Sequence, residues 1–410
     1  MTLLYKISLY LYYILIQISA LFGNSKAKLW LKGRKQIFSR IASALKPNEK
    51  RIWIHASSLG EFEQGRPIIE RIKELHPEYK IFLTFFSPSG YEIRKDYKGA
   101  DYIFYLPLDR RTTASRFLEL VQPEIAVFIK YEFWYYFLNG LKTKNIPAYL
   151  VSANFRKEQH FFSWYGGWFR KLLFSFEHIF VQNESSLTLL KGIGLDNVTI
   201  AGDTRFDRVY SIATHARELP EVNNFVDNSF CIVAGSTWEP DEELLIRYLN
   251  ETSHPVKVIL APHEIKEQSI ENIIQRLNRK TVRYSRLSRD GVDNAEVLII
   301  DNIGMLSSLY RYGRIAYIGG GFGKGIHNIL EAATYGLPIL FGPNHQKFQE
   351  AVDLIKAGGA FPISDYTSVK AVLDELIENK DRNNICSQIS KQFVENNLGA
   401  TNIILEALLK

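Results

Sequence analysis

The chain has 410 residues, 46% of them hydrophobic, more apolar material than one ordinary core takes up, so two domains are the starting expectation. Its formal net charge of +6 invites a nucleic-acid reading, yet residues 1–51 hold ten Lys and Arg against the single acid Glu49, which leaves the rest at −3. A body of that sign argues against nucleic acid as a partner, and only two cysteines, Cys231 and Cys386, give neither a disulfide framework nor metal-ligand spacing.

The first element is the run Ile7–Phe22, apolar on nearly every face and suited to lipid. It is borderline in length for a full span, and Tyr10, Tyr12 and Tyr13 are side chains that settle at headgroup level, so spanning and half-embedded arrangements both stay open. The Lys/Arg-rich stretch that follows places the body on the cytoplasmic side and is attracted to anionic lipid. An export signal fits less well, because positive charge follows the apolar run and no clean small-residue cleavage site appears.

From residue 51 onward, short β-branched or aromatic runs alternate with longer amphipathic ones, the pattern of a parallel sheet covered by helices. Strands are expected at 51–56, 80–84, 102–105, 125–129, 148–151 and 178–181. A polar stretch at 216–228 breaks the rhythm and reads as a linker. The pattern restarts with strands at 230–234, 256–260, 297–300, 315–318 and 338–341. The predicted fold class is α/β, with two doubly wound domains facing a cleft and ligands at the carboxyl ends of the strands.

Several strand ends carry residues with chemical potential. His55–Glu61 ends the first strand and puts Glu61 at a strand-to-helix junction, where it could take a proton from an acceptor hydroxyl. The plainer explanation is an acid that stabilises the helix dipole, and the same dipole weakens it as a base. Lys130, beside Tyr131 and Glu132, and Arg205, within Gly202–Asp207, are cations suited to a phosphate or carboxylate. In the second half, Ala234–Thr237 and Ala261–Glu264 end strands, the latter with Pro262 and His263. The segment Ile318–Ala333 reads as strand, glycine loop and helix. Five glycines in seven positions suggest a phosphate site, with Glu331 placed for ribose hydroxyls. It is not a P-loop, since Gly325 follows Lys324 where Ser or Thr is needed. No Asp-x-Asp pair indicates a bridging metal.

These segments, in this order, resemble the 3-deoxy-D-manno-octulosonic acid (Kdo) transferases of lipopolysaccharide assembly along essentially the whole chain. The landmarks are the apolar N-terminal helix, His55–Glu61, Ser87–Gly90, Tyr105–Asp109, Glu132–Trp134, Gln182–Glu184, Gly202–Asp207, His327–Glu331 and Gly342-Pro343.

The resemblance implies GT-B architecture: a membrane-associated helix at 1–25, a Rossmann-like acceptor domain at 26–220 and a Rossmann-like CMP-Kdo domain at 221–410, with the last helix returning to the N-terminal domain. It implies transfer of Kdo from CMP-Kdo to a lipid A precursor at the cytoplasmic face of the cell inner membrane, with no metal and no cofactor. It assigns the general base to Glu61 and transition-state stabilisation to Arg205, with Lys130 at a further stabilising position. CMP contacts fall on Pro262, His263, Ile303, Gly304, Met305, Asn328, Ile329, Leu330 and Glu331. Three positions depart from the family pattern: Lys130 where Glu is common, His263 where Arg is common, and Gly304-Met305 where Gly-Glu is common. The reversed charge puts the role of Lys130 in question. Rival readings are another GT-B envelope enzyme, a heptosyl- or N-acetylglucosaminyltransferase, and a non-catalytic nucleotide-binding membrane module.

Overall fold

The computed structural model describes residues 2–287, 291–292 and 294–409. Contacts divide the chain into a first unit that runs to Asp207 and takes back the segment from Leu398 onward, and a second unit, Arg208–Asn397.

The first unit is built on a seven-stranded, wholly parallel sheet: β1 (Lys50–Ala56), β2 (Tyr79–Phe85), β3 (Tyr102–Tyr105), β4 (Ile125–Ile129), β5 (Ala148–Ala153), β6 (His178–Val181) and β7 (Val198–Ile200). Their order is β3-β2-β1-β4-β5-β6-β7, the doubly wound arrangement with its switch point between β1 and β4. Both faces of the sheet are covered, which is why its strands read as continuous apolar runs. Along β1, Ile52, Ile54 and Ala56 point into one core with Phe62, Ile69 and Leu83. Trp53 faces the other core, among Phe82, Phe117, Phe128 and Phe137.

Helices α1 (Thr2–Leu21), α2 (Ser25–Arg34) and α3 (Ile37–Ala44) precede the sheet, and α4 (Leu59–Leu75), α5 (Pro88–Arg94), α6 (Arg111–Val121) and α7 (Tyr135–Thr143) follow the first four strands. α1 is long and apolar enough to cross a membrane by length and composition. It also lies along the first unit at two places. Near its start, the Tyr5 hydroxyl donates to Asp109 at 2.5 Å, and further on Tyr12 and Tyr13 pack on Trp30 with ring centroids 6.0 and 6.2 Å apart. Leu3, Leu4, Ile7, Leu11, Leu15 and Ile18 are exposed. α2 is fixed by Arg34, whose buried guanidinium stacks on Trp30, Phe86 and Tyr105 and donates to the carbonyls of Leu106 and Phe86. Burial pushes the Arg34 pKa down to about 9.

The helix Ala400–Leu408 completes the first unit, placing Ile404, Leu405 and Leu408 in the core beside α4. Asp207 holds its start. The carboxylate accepts from the N–H groups of Gly399 and Thr401 and from the Thr401 hydroxyl, each at 2.7 Å.

The second unit has its own parallel sheet: β8 (Phe230–Thr237), β9 (Val256–Pro262), β10 (Thr281–Arg283), β11 (Val297–Ile299), β12 (Ile315–Ile318), β13 (Ile339–Phe341) and β14 (Ala360–Pro362), in the order β10-β11-β9-β8-β12-β13-β14. The stretch expected to be a linker contains a helix, Pro220–Val226. Val222 and Phe225 are fully buried in it, and this pair of apolar side chains in a polar sequence is what turns a linker into packed structure.

Candidate active site

In the first unit the loop after β1 turns directly into α4. Ser58 caps that helix and Glu61 returns the favour: Glu61 N–H donates to the Ser58 hydroxyl at 3.4 Å, and Ser58 N–H to the Glu61 carboxylate at 2.9 Å. A Cβ on Gly65 would come within 2.9 Å of Ile129, so this glycine lets α4 press close to the sheet.

Three side chains from β1 and the β4–α7 loop sit beneath this turn. His55 is fully buried and places Nε2 3.0 Å from Glu132, while the indole N–H of Trp134 donates to the same carboxylate oxygen at 2.6 Å. The Thr84 hydroxyl accepts from Trp53 Nε1 at 2.8 Å and lies 2.8 Å from His55 Nδ1. His55 Nδ1 also lies 3.1 Å from the Thr84 carbonyl, so the ring is held between Thr84 on one side and Glu132 on the other.

This network sets the two carboxyl groups apart. Glu61 is held above the usual carboxylate range, by burial first and then by the charge of Glu132, against the hydrogen bonds of Ser58 and the pull of His55. Glu132 is held below it: burial pushes it up, but His55, Ser57 and Trp134 outweigh that. One carboxyl near the top of the sheet is thus basic and its neighbour is fixed as an anion, the division of labour that proton abstraction requires.

Lys130 follows β4 directly, in the left-handed region at φ 64°, with its N–H on the Val151 carbonyl at 2.9 Å. Arg205 opens the helix Thr204–Thr214, and its Nε and Nη2 reach Asp203 Oδ2 at 2.9 and 2.7 Å. Thr204 bonds the Gln64 carbonyl of α4 at 2.5 Å. The landmark Gly202–Asp207 therefore does three jobs: it anchors α4, orients a cation and caps the C-terminal helix.

In the second unit the expected nucleotide residues follow β9, β11 and β12. His263, directly after β9, stacks between Trp238 and His327 with ring centroids 4.4 and 4.6 Å apart. Burial, then the neighbouring His263, lowers the pKa of His327. Asn328 donates to Glu331 at 3.0 Å, and the Glu331 charge acts on buried Tyr310, in the segment after Met305. Ile303 is 92% exposed and Gly304 has φ 95°, so the Ile303–Met305 loop presents itself to solvent. Pro262 is the last residue of β9.

The glycine loop has a backbone explanation that the sequence did not reveal. A Cβ on Gly319 would meet the Ser236 carbonyl at 2.2 Å and one on Gly321 the Gly342 nitrogen at 2.5 Å, while Gly320 and Gly325 have φ 91° and 142°. Four of the five glycines are required by close approach or handedness. The helix after the loop is only Leu330–Ala333, four residues, and gives little dipole. The loop is tied down by Asp241, wholly buried, which accepts from Gly320 N–H, Trp238 N–H and the Tyr317 hydroxyl at 2.9 Å each. A cavity of about 580 Å³ that Trp238 helps to line carries Glu239, Glu242 and Glu264 with Arg276, the wrong sign for a phosphate.

Sequence reasoning passed over Trp238 and Asp241 as functional residues and named His55, Glu132 and Trp134 only as landmarks. The signal for the His55 group was alternation, since residues 53 and 55 of a strand share a face.

Two doubly wound units, one with a pair of carboxyl groups at its strand ends and one with a glycine loop and an aromatic stack, give the chain the GT-B architecture. The fold is shared with the calicheamicin glycosyltransferase (TM-score 0.55, 11% identity, covering 88% of this chain and 98% of that one) and with MurG of Acinetobacter baumannii (TM-score 0.56, 12% identity, 88% and 99%). The family described as 3-deoxy-D-manno-octulosonic-acid transferase (kdotransferase) matches residues 32–208. The 3-deoxy-D-manno-octulosonic acid transferase of Aquifex aeolicus (strain VF5) is 30% identical over 345 residues, 82% of this chain and 89% of that protein. The chain belongs to this family and is a glycosyltransferase that transfers Kdo.

Proposed function

We propose that the enzyme moves Kdo from CMP-Kdo to a hydroxyl of a lipid A precursor at the cytoplasmic face of the inner membrane, with Glu61 as the general base. In the step, the acceptor hydroxyl proton passes to Glu61, its oxygen bonds the anomeric carbon of Kdo, and the bond from that carbon to the phosphate breaks, so that CMP leaves with the electron pair. Arg205 faces the developing charge, with Lys130 as a second cation. The first unit takes the acceptor. The second holds CMP through Pro262, His263, Ile303, Gly304, Met305, Asn328, Ile329, Leu330 and Glu331. CMP carries one phosphate, which cations and backbone N–H groups can neutralise without a metal.

The observation that carries this reading is the raised proton affinity of Glu61 beside an anionic Glu132. The membrane placement is supported by the contacts of α1 at both Tyr5 and Tyr12, which favour a helix lying along the protein with its apolar side outward over one leaving it to span. The test is mass spectrometry of the products formed from CMP-Kdo and a lipid A precursor. Glu61→Gln is expected to lose about 100- to 10,000-fold in kcat while CMP still binds. Undiminished transfer by this variant would remove Glu61 from the base role.

A further inference from the structure

A cavity of about 570 Å³ in the first unit opens between the start of α1 and the flanks of α6 and α7, and Glu61 is not among the residues that line it. Its walls carry Lys6, Arg111 and Lys144 with the polar side chains of Ser115, Asn139 and Tyr135, and among the described residues that line it there is no carboxylate, the nearest contact of that kind being Glu119, which accepts from the Ser115 hydroxyl at 2.7 Å. Among the described residues no ion pair is formed by Lys6, Arg111 or Lys144. Its shape is built rather than incidental, because one buried carboxyl fixes all three walls: Asp109 accepts from Tyr5 of α1 and from Tyr136 N–H and Phe137 N–H of α7, and stands two residues before Arg111 of α6.

The surroundings indicate what it takes. On the same turns of α1 as Lys6, the apolar side chains of Leu3, Leu4 and Ile7 are exposed. On the other side, Trp168 stacks on Tyr135 with centroids 5.3 Å apart, and the loop before it carries Trp164, 93% exposed. Cations in a recess bordered by outward apolar and indole side chains match the boundary of a bilayer, where acyl chains end and phosphates begin.

We propose that this cavity binds the phosphate headgroup of a membrane lipid, at a site separate from the reacting centre. The proposal rests on the reading that α1 lies in the membrane surface. Its test is flotation of the full chain with vesicles of phosphatidylcholine alone or mixed with phosphatidylglycerol. The triple variant Lys6→Gln, Arg111→Gln, Lys144→Gln should bind neutral vesicles like the wild type and lose about a hundredfold in affinity for anionic ones, since each cation near an anionic surface is worth about fivefold. A control triple at the exposed residues Lys98, Lys157 and Lys191 should lose far less. Equal binding of anionic vesicles by the pocket variant, or an equal loss in the control, would overturn the site. No binding of either vesicle by the wild type would instead overturn the membrane reading. A rise in melting temperature with millimolar inorganic phosphate, present in the wild type and absent in the triple variant, would reassign the cavity to a soluble anion.

Discussion

Glu132 raises the proton affinity of Glu61 from a neighbouring loop, while its own contact with His55, 3.0 Å from Nε2, keeps it ionised. The base and the group that tunes it are therefore separable by mutation. Replacing Glu132 with Gln removes the charge but keeps the shape, so Glu61 loses its second-largest upward influence and its pKa falls. The acid limb of the kcat profile should move to lower pH, and kcat at neutral pH should drop about threefold to tenfold as the base weakens. A limb that stays in place would show that Glu132 does not set it.

Asp109 gives a pH signature in stability. Burial raises its pKa from 3.8 to about 6 in spite of its three hydrogen bonds. The folded protein therefore holds a proton that the unfolded chain releases, so this contribution is complete below pH 4 and is lost as pH rises through about 6. Asp109→Asn should flatten the dependence of unfolding free energy on pH between about 4 and 6, an effect on the order of a few kcal/mol. Urea titrations across that range measure it.

Gly319 and Gly323 lie in the same loop with opposite demands. Gly319→Ala forces a methyl against the Ser236 carbonyl and should destabilise the protein by about 1–3 kcal/mol. At Gly323 a Cβ would be 3.6 Å from its nearest neighbour, and Gly323→Ala should stay within about 0.5 kcal/mol of wild type. Chemical denaturation of both variants separates a packing glycine from a tolerant one.

Asp207→Ala removes all three acceptor bonds at the start of the C-terminal helix and should cost about 2 kcal/mol, more than a single cap. Hydrogen exchange should show residues 400–408 losing protection before the rest of the first unit.

The strands were legible because both faces of each sheet are buried, so a strand announces itself as an apolar run. The three that were missed, β7, β10 and β14, are three-residue strands at sheet edges, too short to leave a pattern. Glu61 was legible as a strand-end carboxyl, but its basicity was not, because it depends on Glu132, and Glu132 depends on His55, 77 positions away. The role of Asp207 was hidden for the same reason, its partner Thr401 being 194 positions off. In the glycine loop the glycines were legible, but the backbone pressure on Gly319 and Gly321 from Ser236 and Gly342 was not, because composition does not disclose it.

The return of the segment after Asn397 governs how the protein can be made and taken apart. A ribosome delivers Arg208–Asn397 before it delivers Ile404, Leu405 and Leu408, so the N-terminal core waits, with an apolar face open, while a whole second unit is synthesised. A nonsense mutation anywhere in that second unit damages the first as well. Expressing the first unit by itself calls for a splice that joins residues near 207 to those from 398, and a simple truncation at the domain boundary would leave it without its last helix.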